Sequence, residues 1–376
     1  MSRTPRSSPY RIAIDARKLG DYGIGDYLWN LVDQLHRIDS DTQYVILHQS
    51  PPPGPLARPA QWVHDGSGKY SIREQLSLPW HAWREGVDLL HCPHYVVPLV
   101  RPCKLVVTIH DIIHLVLGHY WSWPARQYAR FMLGQAVRAE GIITVSEGAK
   151  RDIVERLGVS SDRITVIHNG VSEAFHPVSD PRALEAMRAR YQLVAPYLLC
   201  VGNPRMRHKN LVTAVRAFRL LVERGEQEAT LVIAGGPPSR EVIEALRAEA
   251  GAARDRLRFP GFVRDEDMPA LFTAAAAFVW PSLYEGFGIP PVQAMACGTP
   301  VVSSNASVMP EILGDAAVLV QALEVDAYAT ALRRVLDDSA WRNELAARGF
   351  ARAARYRWAD HAERTLRVYR DVTEGR

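Results

Sequence analysis

The sequence predicts an α/β protein with two domains in tandem, each built on a parallel β-sheet covered by helices. The chain has 376 residues, more than a single hydrophobic core usually holds. Short apolar runs alternate with stretches of helical spacing, the pattern typical of a parallel sheet. The alternation of strand and helix patterns is absent from residues 171–196 and resumes after them, which indicates two α/β units.

The strand candidates fall into two groups of six. In the first unit they are residues 10–19, 44–48, 88–93, 104–111, 141–146 and 164–170. In the second unit they are residues 197–203, 229–236, 257–263, 275–282, 299–304 and 316–320. A glycine turn after the first strand leads into residues 22–38, which have helical spacing. From Asp326 onward the spacing is helical, and we expect these last helices to pack back over the domain junction.

Composition and charge exclude several classes of protein. With 47% hydrophobic residues and a net charge of +4, the chain lacks the dense basic field that duplex nucleic acid binding needs. The four cysteines have no CxxC spacing, which argues against a disulfide framework or a zinc ribbon. Neither a signal peptide nor a run of about eighteen apolar residues occurs. We expect a cytoplasmic protein, with peripheral contact to the inner face of the cytoplasmic membrane left open.

Glycines follow the first strand candidate, where an open α/β sheet binds its ligands. Gly23 and Gly25 stand just before a helix, so their backbone N–H groups could approach a phosphate. The third glycine of a GxGxxG motif is missing, because Leu28 stands in its place. A plain glycine turn is an equally good interpretation.

Two cations follow the strand candidate at residues 197–203. Arg205 and Lys209 lie four positions apart, which is one helical turn if a helix begins near Pro204. Such a pair suits a diphosphate, with arginine acting through its planar fork and lysine as a point charge. The alternative is a solvated basic face, which is the commoner situation for such a pair taken alone.

His110 and Asp111 end the strand candidate at residues 104–111, and we expect His110 to contact or polarise a sugar. A metal site is the alternative, because eleven of the thirteen histidines precede residue 177. However, no HExxH or paired-cysteine spacing is present, and the histidines are distributed over several strand ends. We therefore expect no metal site.

Two DxD segments, at residues 39–41 and 265–267, match a spacing that some transferases use to hold a divalent cation on a nucleotide diphosphate. Structural roles are the favoured interpretation of both. The first segment follows a helix, where acidic loop residues are common. Asp265 suits a helix N-cap with further acids in the first turn.

The segment YEGFGIPPVQAMACGTPVV, residues 284–302, contains the strongest candidate. It follows a strand, and Pro290 or Pro291 can occupy the first helical position, where a missing N–H costs nothing. The carboxylate of Glu285 can accept hydrogen bonds from sugar hydroxyls or stabilise positive charge at an anomeric carbon. The amides expected beside it are those of Phe287, Gly288 and Ile289. A glycoside hydrolase would need a second acid opposite, which Gln293 cannot supply.

Together these segments resemble the retaining glycosyltransferases of family 4, which have the GT-B architecture of two Rossmann-like domains facing each other across a cleft. The resemblance covers nearly the whole chain. Its segments include DARKLGDYGIGDYLWNL, VVTIHDIIHL, TVSEGAKRDI, LLCVGNPRMRHKN, LVIAGG, PGFV and EGFGIPPVQAMACGTPVVSS. The N-terminal segments are most similar to bacterial mannosyltransferases that extend O-antigen and exopolysaccharide chains.

The resemblance implies an acceptor domain at residues 1–178, with a final helix at 358–376 crossing back to it, and a nucleotide-sugar domain at 179–357. Arg205 and Lys209 would hold the diphosphate. The residues that it implies are catalytic are Glu285, His110, Arg205 and Lys209. Those implied to bind the donor are Gly23, Gly25, Gly202, Val263, Phe287, Gly288, Ile289 and Gln293. Those implied on the acceptor side are Asp111, Tyr95 and Ser146. No metal or other cofactor is implied.

One residue departs from the family pattern. The family has a second glutamate eight positions after the first, which binds the ribose hydroxyls, and this chain has Gln293 there. A neutral amide can accept one ribose hydroxyl, but the bond is weaker than one to a carboxylate. We expect weaker or altered nucleotide binding with catalysis retained.

The predicted function is transfer of a hexose to a saccharide or a polyprenyl-diphosphate-linked saccharide in cell-surface polysaccharide synthesis. Mannose from GDP-mannose is favoured, and UDP-glucose comes next. Aromatic and arginine side chains in residues 68–86 and 120–131 suit sugar stacking or a membrane surface, and helix packing explains them equally well. The alternatives are a non-catalytic sugar-nucleotide sensor, an epimerase, and a phosphorylase, whose pyridoxal-binding lysine we do not find.

Overall fold

The structure, a computed structural model, describes residues 9–21, 23–50, 52, 54–236 and 239–375. These residues divide into two units. The N-terminal unit holds the described residues up to Gly170 and those from Arg357 onward, and the C-terminal unit is Val171–Tyr356. The chain therefore leaves the N-terminal unit and returns to it for its last helix. The sequence-based boundaries, after residues 178 and 357, lie eight residues and one residue later.

Both units consist of alternating strands and helices. The strands within the described residues are β1 (Arg11–Asp15), β2 (Gln43–His48), β3 (Gln61–His64), β4 (Leu89–Cys92), β5 (Lys104–Ile109), β6 (Gly141–Thr144), β7 (Ile164–Val166), β8 (Tyr197–Val201), β9 (Thr230–Ala234), β10 (Leu257–Gly261), β11 (Ala277–Trp280), β12 (Val301–Ser304) and β13 (Val318–Val320). The α-helices there are α1 (Ile24–Ile38), α2 (Ile72–Arg84), α3 (Ile113–Val116), α4 (Trp123–Ala136), α5 (Glu147–Leu157), α6 (Pro181–Arg190), α7 (Leu211–Glu223), α8 (Arg240–Ala250), α9 (Met268–Thr273), α10 (Ile289–Ala296), α11 (Met309–Leu313), α12 (Val325–Asp337), α13 (Ser339–Ala353) and α14 (Trp358–Glu374).

The N-terminal unit contains one parallel sheet in the order β3-β2-β1-β4-β5-β6-β7. Its central strands are almost entirely buried and mostly apolar, as expected for strands covered on both faces. The strand order reverses at β1, which pairs with β2 on one side and β4 on the other. The loops that follow β1 and β4 therefore diverge and leave a crevice at the carboxyl edge of the sheet.

Helices cover both faces of this sheet. Ile12 and Ile14 of β1 belong to one apolar core, which α1 and α14 complete with residues such as Leu366. Ala13, between them, belongs to the opposite core together with Leu78 of α2. This division follows from the alternation of side chains along a strand. The last helix of the chain is thus part of the N-terminal unit.

The C-terminal unit contains a parallel sheet in the order β10-β9-β8-β11-β12-β13. Here the strand order reverses between β8 and β11. Phe218 of α7 and Tyr328 of α12 are fully buried in a core that includes Leu198 and Cys200 of β8. The fold class predicted from the sequence, α/β with two parallel sheets, is confirmed.

The strand predictions missed one element, β3. Its sequence, QWVH, is four residues long, has polar ends and follows the proline-rich residues 51–59, so no apolar run marks it. It pairs with β2 at the edge of the sheet, where a short strand suffices. No helix in the described part of the chain combines the length and the apolar character needed to cross a membrane.

Candidate functional site

Two loops of the C-terminal unit leave its sheet where the strand order reverses. β8 ends at Val201 and β11 ends at Trp280, and the two strands are parallel neighbours. The loops at residues 202–210 and 281–288 therefore begin at the same edge of the sheet. Ligands of open α/β sheets bind at this kind of position. The structure thus brings together the predicted diphosphate loop and the predicted sugar loop.

Lys209 and Glu285 form an ion pair across these two loops. Nζ of Lys209 lies 2.8 Å from Oε1 of Glu285. It also lies 4.5 Å from the ring centroid of Trp280, a residue that the sequence analysis did not single out. Both charged side chains are partly buried, which strengthens their attraction compared with a pair in water. A cation in this position can offset charge on a diphosphate, and the carboxylate can accept hydrogen bonds from sugar hydroxyls.

Arg205 lies in a loop, and the predicted helix near Pro204 is wrong. Only a short 3-10 turn forms, at Arg207–Lys209, and α7 begins after Asn210. Asn210 has a φ of 52°, a left-handed conformation that interrupts any helix. Oδ1 of Asn203 accepts the Arg205 backbone N–H at 3.0 Å, which fixes the loop. The Arg205 guanidinium is exposed and has no carboxylate partner among the described residues, so it is available to a phosphate.

The loop that carries Glu285 turns sharply into α10. Gly288 has a φ of 89°, and a Cβ there would lie 2.6 Å from Cε of Met309. The helix begins at Ile289, one residue before the predicted prolines. Phe287 is buried against Tyr356, with 5.3 Å between ring centroids. Its side chain anchors the turn, so a ligand could meet only its backbone.

Gln293 lies one helical turn into α10, four residues after Ile289. It is 8% exposed, and no group within the described residues bonds to its side-chain amide. The amide therefore keeps its donors and its acceptor for a ligand. The ribose contact assigned to Gln293 stays a prediction.

The ends of β8, β9 and β10 approach one another through glycines. Gly202 N–H donates to the Ala234 carbonyl at 2.8 Å, and Gly235 N–H donates to the Gly261 carbonyl at 2.9 Å. A Cβ on Gly235 would lie 2.2 Å from the Gly202 oxygen, so only glycine fits there. The sequence analysis missed this requirement, although the GG doublet marks it. Val263 is buried, so the predicted contact with the base is left to its backbone.

The glycine turn of the N-terminal unit folds back onto the loop after β1. Gly25 N–H donates to the Asp21 carbonyl at 2.7 Å, and a Cβ on Gly25 would lie 2.3 Å from the Leu19 oxygen. Gly23 precedes α1 with a φ of 75°. The backbone therefore requires glycine at both positions. A plain turn and a phosphate contact both fit this geometry, so the phosphate contact stays a prediction.

His110 directly follows β5, and its neutral tautomer is set by one hydrogen bond. Nε2 lies 3.0 Å from the Pro93 carbonyl oxygen, which can only accept, so Nε2 carries the proton. Nδ1 then presents a lone pair, and no group in the described ranges bonds to it. Burial lowers the pKa of His110 to about 4, although the hydrogen bond to Pro93 opposes the shift. His110 is thus a neutral acceptor near pH 7, suited to a sugar hydroxyl.

Tyr27 supports His110 and belongs to a buried chain of hydrogen bonds. Its ring packs edge-on against His110, with 4.6 Å between centroids. Nδ1 of His361 donates to the His168 carbonyl at 2.9 Å. Nε2 of His361 must therefore accept from the Tyr27 hydroxyl, 3.3 Å away. The backbone carbonyl of His168 thus makes Tyr27 the donor in its hydrogen bond with His361.

The remaining bonds follow in the same direction. Thr108 donates to the Tyr27 hydroxyl at 3.0 Å, Nε2 of His91 donates to Thr108 at 2.9 Å, and Tyr369 donates to Nδ1 of His91 at 2.6 Å. Burial lowers the pKa of His91 to about 3 and that of His361 to about 4, so both are neutral. A proton on Nε2 of His361 would face the donating hydroxyl of Tyr27, and a proton on Nδ1 of His91 would face that of Tyr369. The sequence analysis missed this network, because its members are far apart in the chain.

The three acceptor-side predictions have other roles in the structure. Asp111 accepts the backbone N–H two residues later at 2.9 Å and so fixes the turn into α3. Ser146 is fully buried and caps α5 by accepting from Ala149 N–H at 3.0 Å. Tyr95 is buried, with its ring centroid 4.1 Å from that of His94. The acceptor contacts assigned to these three residues stay predictions.

Lys18, a cation that lies among aromatic rings, is a further candidate for binding an acceptor. Nζ of Lys18 lies 2.8 Å from the Tyr70 hydroxyl and 4.3 Å from its ring centroid. Tyr70 in turn packs against His94 and Tyr128, at 5.9 and 6.3 Å between centroids. Burial lowers the pKa of Lys18. The usable sequence signal was Lys18 itself, which follows β1 just as Arg205 follows β8.

The acidic DxD segments hold the fold together. Asp39 accepts the Tyr44 hydroxyl at 2.8 Å. Asp267, which precedes α9, accepts both bonds from Arg190 at 2.7 Å. Asp265 begins a 3-10 turn and is not the N-cap that the sequence predicted. Within the described ranges, no cluster of three or more His, Cys, Asp or Glu side chains is arranged to hold a metal ion.

Comparisons with known proteins agree with this geometry. Residues 22–175 match the family described as Glycosyltransferase Family 4, and residues 188–352 match Glycosyl transferases group 1. The chain is 32% identical over 284 residues to the O-antigen chain mannosyltransferase B of Escherichia coli, covering 75% of this chain and 74% of that protein.

Two further similarities concern a longer relative and a solved structure. The chain is 31% identical to the serotype-specific mannosyltransferase WbdA of Escherichia coli over 72% of this chain, but it spans only 34% of that protein. The sucrose-phosphate synthase of Thermosynechococcus elongatus superimposes with a TM-score of 0.78 at 23% identity, covering 98% of this chain and 100% of that one. The similarity to the sucrose-phosphate synthase shows the fold alone.

Proposed function

The chain belongs to the glycosyltransferases, with a family 4 segment followed by a group 1 segment, and we propose that it transfers mannose from GDP-mannose to a saccharide acceptor. Glycosyl transfer in polysaccharide synthesis follows from its relatives. The choice of mannose is supported by the names of those relatives, both of which are mannosyltransferases. The choice of GDP is supported by the resemblance described above.

The observation that carries the proposal is the Lys209–Glu285 ion pair at the carboxyl edge of the C-terminal sheet. A diphosphate needs a fixed cation, and the exposed Arg205 in the same loop supplies a second one. A sugar needs hydroxyl acceptors near its reacting carbon, and Glu285 supplies one. We assign the donor to this edge, with Gln293 and the backbone of Val263 toward the nucleoside.

The chemistry needs positioning and charge stabilisation more than a covalent nucleophile. The acceptor hydroxyl oxygen forms a bond to the anomeric carbon while the bond from that carbon to the phosphate oxygen breaks. The hydroxyl proton passes to the departing phosphate oxygen. Lys209 and Arg205 offset the negative charge that grows on the phosphate, and Glu285 stabilises the positive charge that grows on the sugar.

The acceptor is assigned to the N-terminal unit, where Lys18 lies among aromatic rings. A saccharide would stack on Tyr70 and Tyr128, and a lipid-linked diphosphate would add an anion for Lys18 to bind. Contact between His110 and the transferred sugar remains part of the proposal. The cytoplasmic location also stays a prediction.

A donor panel tests the proposal. We expect GDP-mannose to raise the melting temperature of the full chain more than UDP-glucose, UDP-galactose or dTDP-glucose, with or without EDTA. We also expect slow hydrolysis of GDP-mannose alone. Stabilisation by UDP-glucose with none by GDP-mannose would replace the donor, and stabilisation that EDTA abolishes would contradict the metal-independent site.

A further inference from the structure

The N-terminal unit carries an apolar surface that faces solvent. Ten of the sixteen exposed large apolar side chains within the described residues lie between Tyr70 and Phe131. Seven of them lie on two helices and define what we call the α2–α4 face: Ile72, Leu76, Trp80, Trp83, Trp123, Tyr128 and Phe131. Isolated exposed apolar residues are ordinary, but a cluster of this size marks a surface that binds something.

An apolar stripe runs along the exposed side of α2, with Arg73 and Arg84 beside it. Ile72 is 84%, Leu76 70% and Trp83 73% exposed. At 100° per residue these side chains and Trp80 fall within a stripe about 80° wide. The buried side chains of α2, such as Leu78 and Ala82, fall on the opposite side and pack on the sheet. Helix packing within the unit therefore explains one side of α2 and leaves the apolar stripe unexplained.

The exposed sides of α2 and α4 are connected. Tyr70, just before α2, contacts Tyr128 of α4, with 6.3 Å between ring centroids. Gln75, near the start of α2, contacts the segment that precedes α4: its Oε1 accepts the Leu99 N–H at 3.0 Å. Two residues later, Arg101 donates to the Gln135 carbonyl of α4 at 2.7 Å. Because the exposed residues at 99–100 lie along this connection, the two helices present one continuous surface.

Positive charges outnumber negative ones around this surface, although Oε1 of Glu85 lies 3.7 Å from Nε of Arg84. Between Leu89 and Ala139 the chain has five lysines and arginines, and Asp111 is its single acidic residue. The carboxylate of Glu74 is turned inward and bonds to the buried Arg17 at 2.7 Å. The exposed cations on and beside the two helices include Arg73, Arg84, Arg130 and Arg138.

From this combination we infer that the α2–α4 face docks on an anionic lipid bilayer. Tryptophan suits the interface between lipid tails and headgroups, and arginine pairs with lipid phosphate while its stem lies on apolar surface. The guanidinium of Arg84, 4.9 Å above the Trp80 ring, already has this arrangement. A protein partner or a second copy of the chain would need acidic groups to match these cations. The inference is independent of which sugar is transferred.

Vesicle flotation of the full chain, without any donor, tests the inference. We expect the protein to float with vesicles of equal parts phosphatidylcholine and phosphatidylglycerol at low salt, and to float much less with pure phosphatidylcholine. The double variant Leu76→Ser/Trp83→Ser should lower binding by at least about tenfold, since it removes two exposed apolar anchors. Its matched control is Leu323→Ser/Phe350→Ser, because Leu323 is also 70% exposed but lies in the C-terminal unit.

A second pair of variants tests the charges. Arg73→Gln/Arg130→Gln should weaken flotation and reduce its salt dependence, while Arg182→Gln/Arg240→Gln should not. All of these side chains are exposed, so the melting temperatures should stay close to wild type. Absence of flotation by the wild-type chain, or equal flotation by the two apolar variants, would overturn the inference. Self-association in solution that Leu76→Ser/Trp83→Ser abolishes would assign the face to a second copy instead.

Discussion

Lys209 and Glu285 are 76 residues apart in the chain, yet their charged atoms lie 2.8 Å apart because β8 and β11 are neighbouring strands. The topology of the sheet, rather than any local motif, creates this pair. Before a donor arrives, each charge is the other's partner. A diphosphate bound to Lys209 and a sugar bound to Glu285 would replace this single hydrogen bond by several. Until then, the ion pair holds both charged groups in a defined geometry.

Removing either member of the pair should abolish most transfer. We expect Lys209→Ala and Glu285→Ala each to lower kcat/KM by about 10²–10³-fold, since each removes a charge that acts on the reacting bond. The free energy of unfolding should fall by only about 1 kcal/mol, because the pair is partly solvated. Steady-state kinetics and urea melts measure the two effects. Arg207→Ala, an exposed cation in the same loop, is the control, and normal turnover by Lys209→Ala would contradict the assignment.

Gln293→Glu should tighten donor binding. A carboxylate is a stronger acceptor for a ribose hydroxyl than an amide, and we expect a gain of about fivefold to tenfold in donor affinity. Without a donor, the buried new charge should lower the melting temperature. Calorimetric titration with the nucleotide diphosphate measures the gain, and Gln321→Glu, on an exposed glutamine of the same unit, is the control. Unchanged donor affinity would exclude the ribose contact.

The N-terminal unit should lose stability on mild acidification. Its described histidines with a lowered pKa are His36, His81, His91, His94, His110, His114 and His361. A folded pKa below the unfolded value of 6.5 means that the unfolded chain takes up protons first. Stability is therefore lost as the pH falls from about 6.5 toward 4.

This loss in the free energy of unfolding can be measured at pH values above the range in which carboxylates titrate. Between pH 6.5 and 5.5, we expect roughly 1 kcal/mol for each histidine whose pKa is lowered to about 4 or less, which is about 3 kcal/mol for His91, His110 and His361 together. Urea melts at both pH values, followed by hydrogen-exchange pulse labelling at one fixed pH, report each unit separately. Unchanged stability of the N-terminal unit between these two pH values would refute the prediction.

Gly25→Ala should destabilise the N-terminal unit. The added Cβ would lie 2.3 Å from the Leu19 oxygen, a backbone atom that cannot move aside alone. We expect a loss of about 2–4 kcal/mol in urea melts. Gly134→Ala is the matched control, because a Cβ there meets no atom within 4 Å and the position is inside α4. That variant should gain about 0.5 kcal/mol, and a loss equal to that of Gly25→Ala would show that the clash is not the cause.

The fold could be predicted from the sequence because the spacing of apolar residues shows which side chains of each strand and helix are buried. Strands such as KLVVTI are mostly apolar, and this is visible without any long-range information. β3 could not be predicted, since a four-residue edge strand buries too little to need apolar ends. The helix expected near Pro204 failed because Asn210 adopts a left-handed conformation, which loop contacts from Pro281 and Ala322 impose through its amide.

The site could be predicted only in part. Residues that follow strands, such as Lys209 and Glu285, were found because parallel strands place their carboxyl ends at one edge. Trp280 and the His361 network were not found, because their roles depend on contacts between distant segments. Ser146 was placed on the acceptor side by the family resemblance, and its cap on α5 was not foreseen.

The return of α14 to the N-terminal unit determines which fragments of the chain can fold alone. A fragment that stops after residue 170 would lack the helix that covers one face of its sheet, and His91 would lose the hydroxyl of Tyr369. The C-terminal unit, by contrast, is one uninterrupted segment, Val171–Tyr356. We therefore expect it to fold when produced by itself, and we expect the N-terminal unit to fold when that segment is replaced by a short flexible linker. Donor affinity and vesicle binding could then be assigned to separate polypeptides.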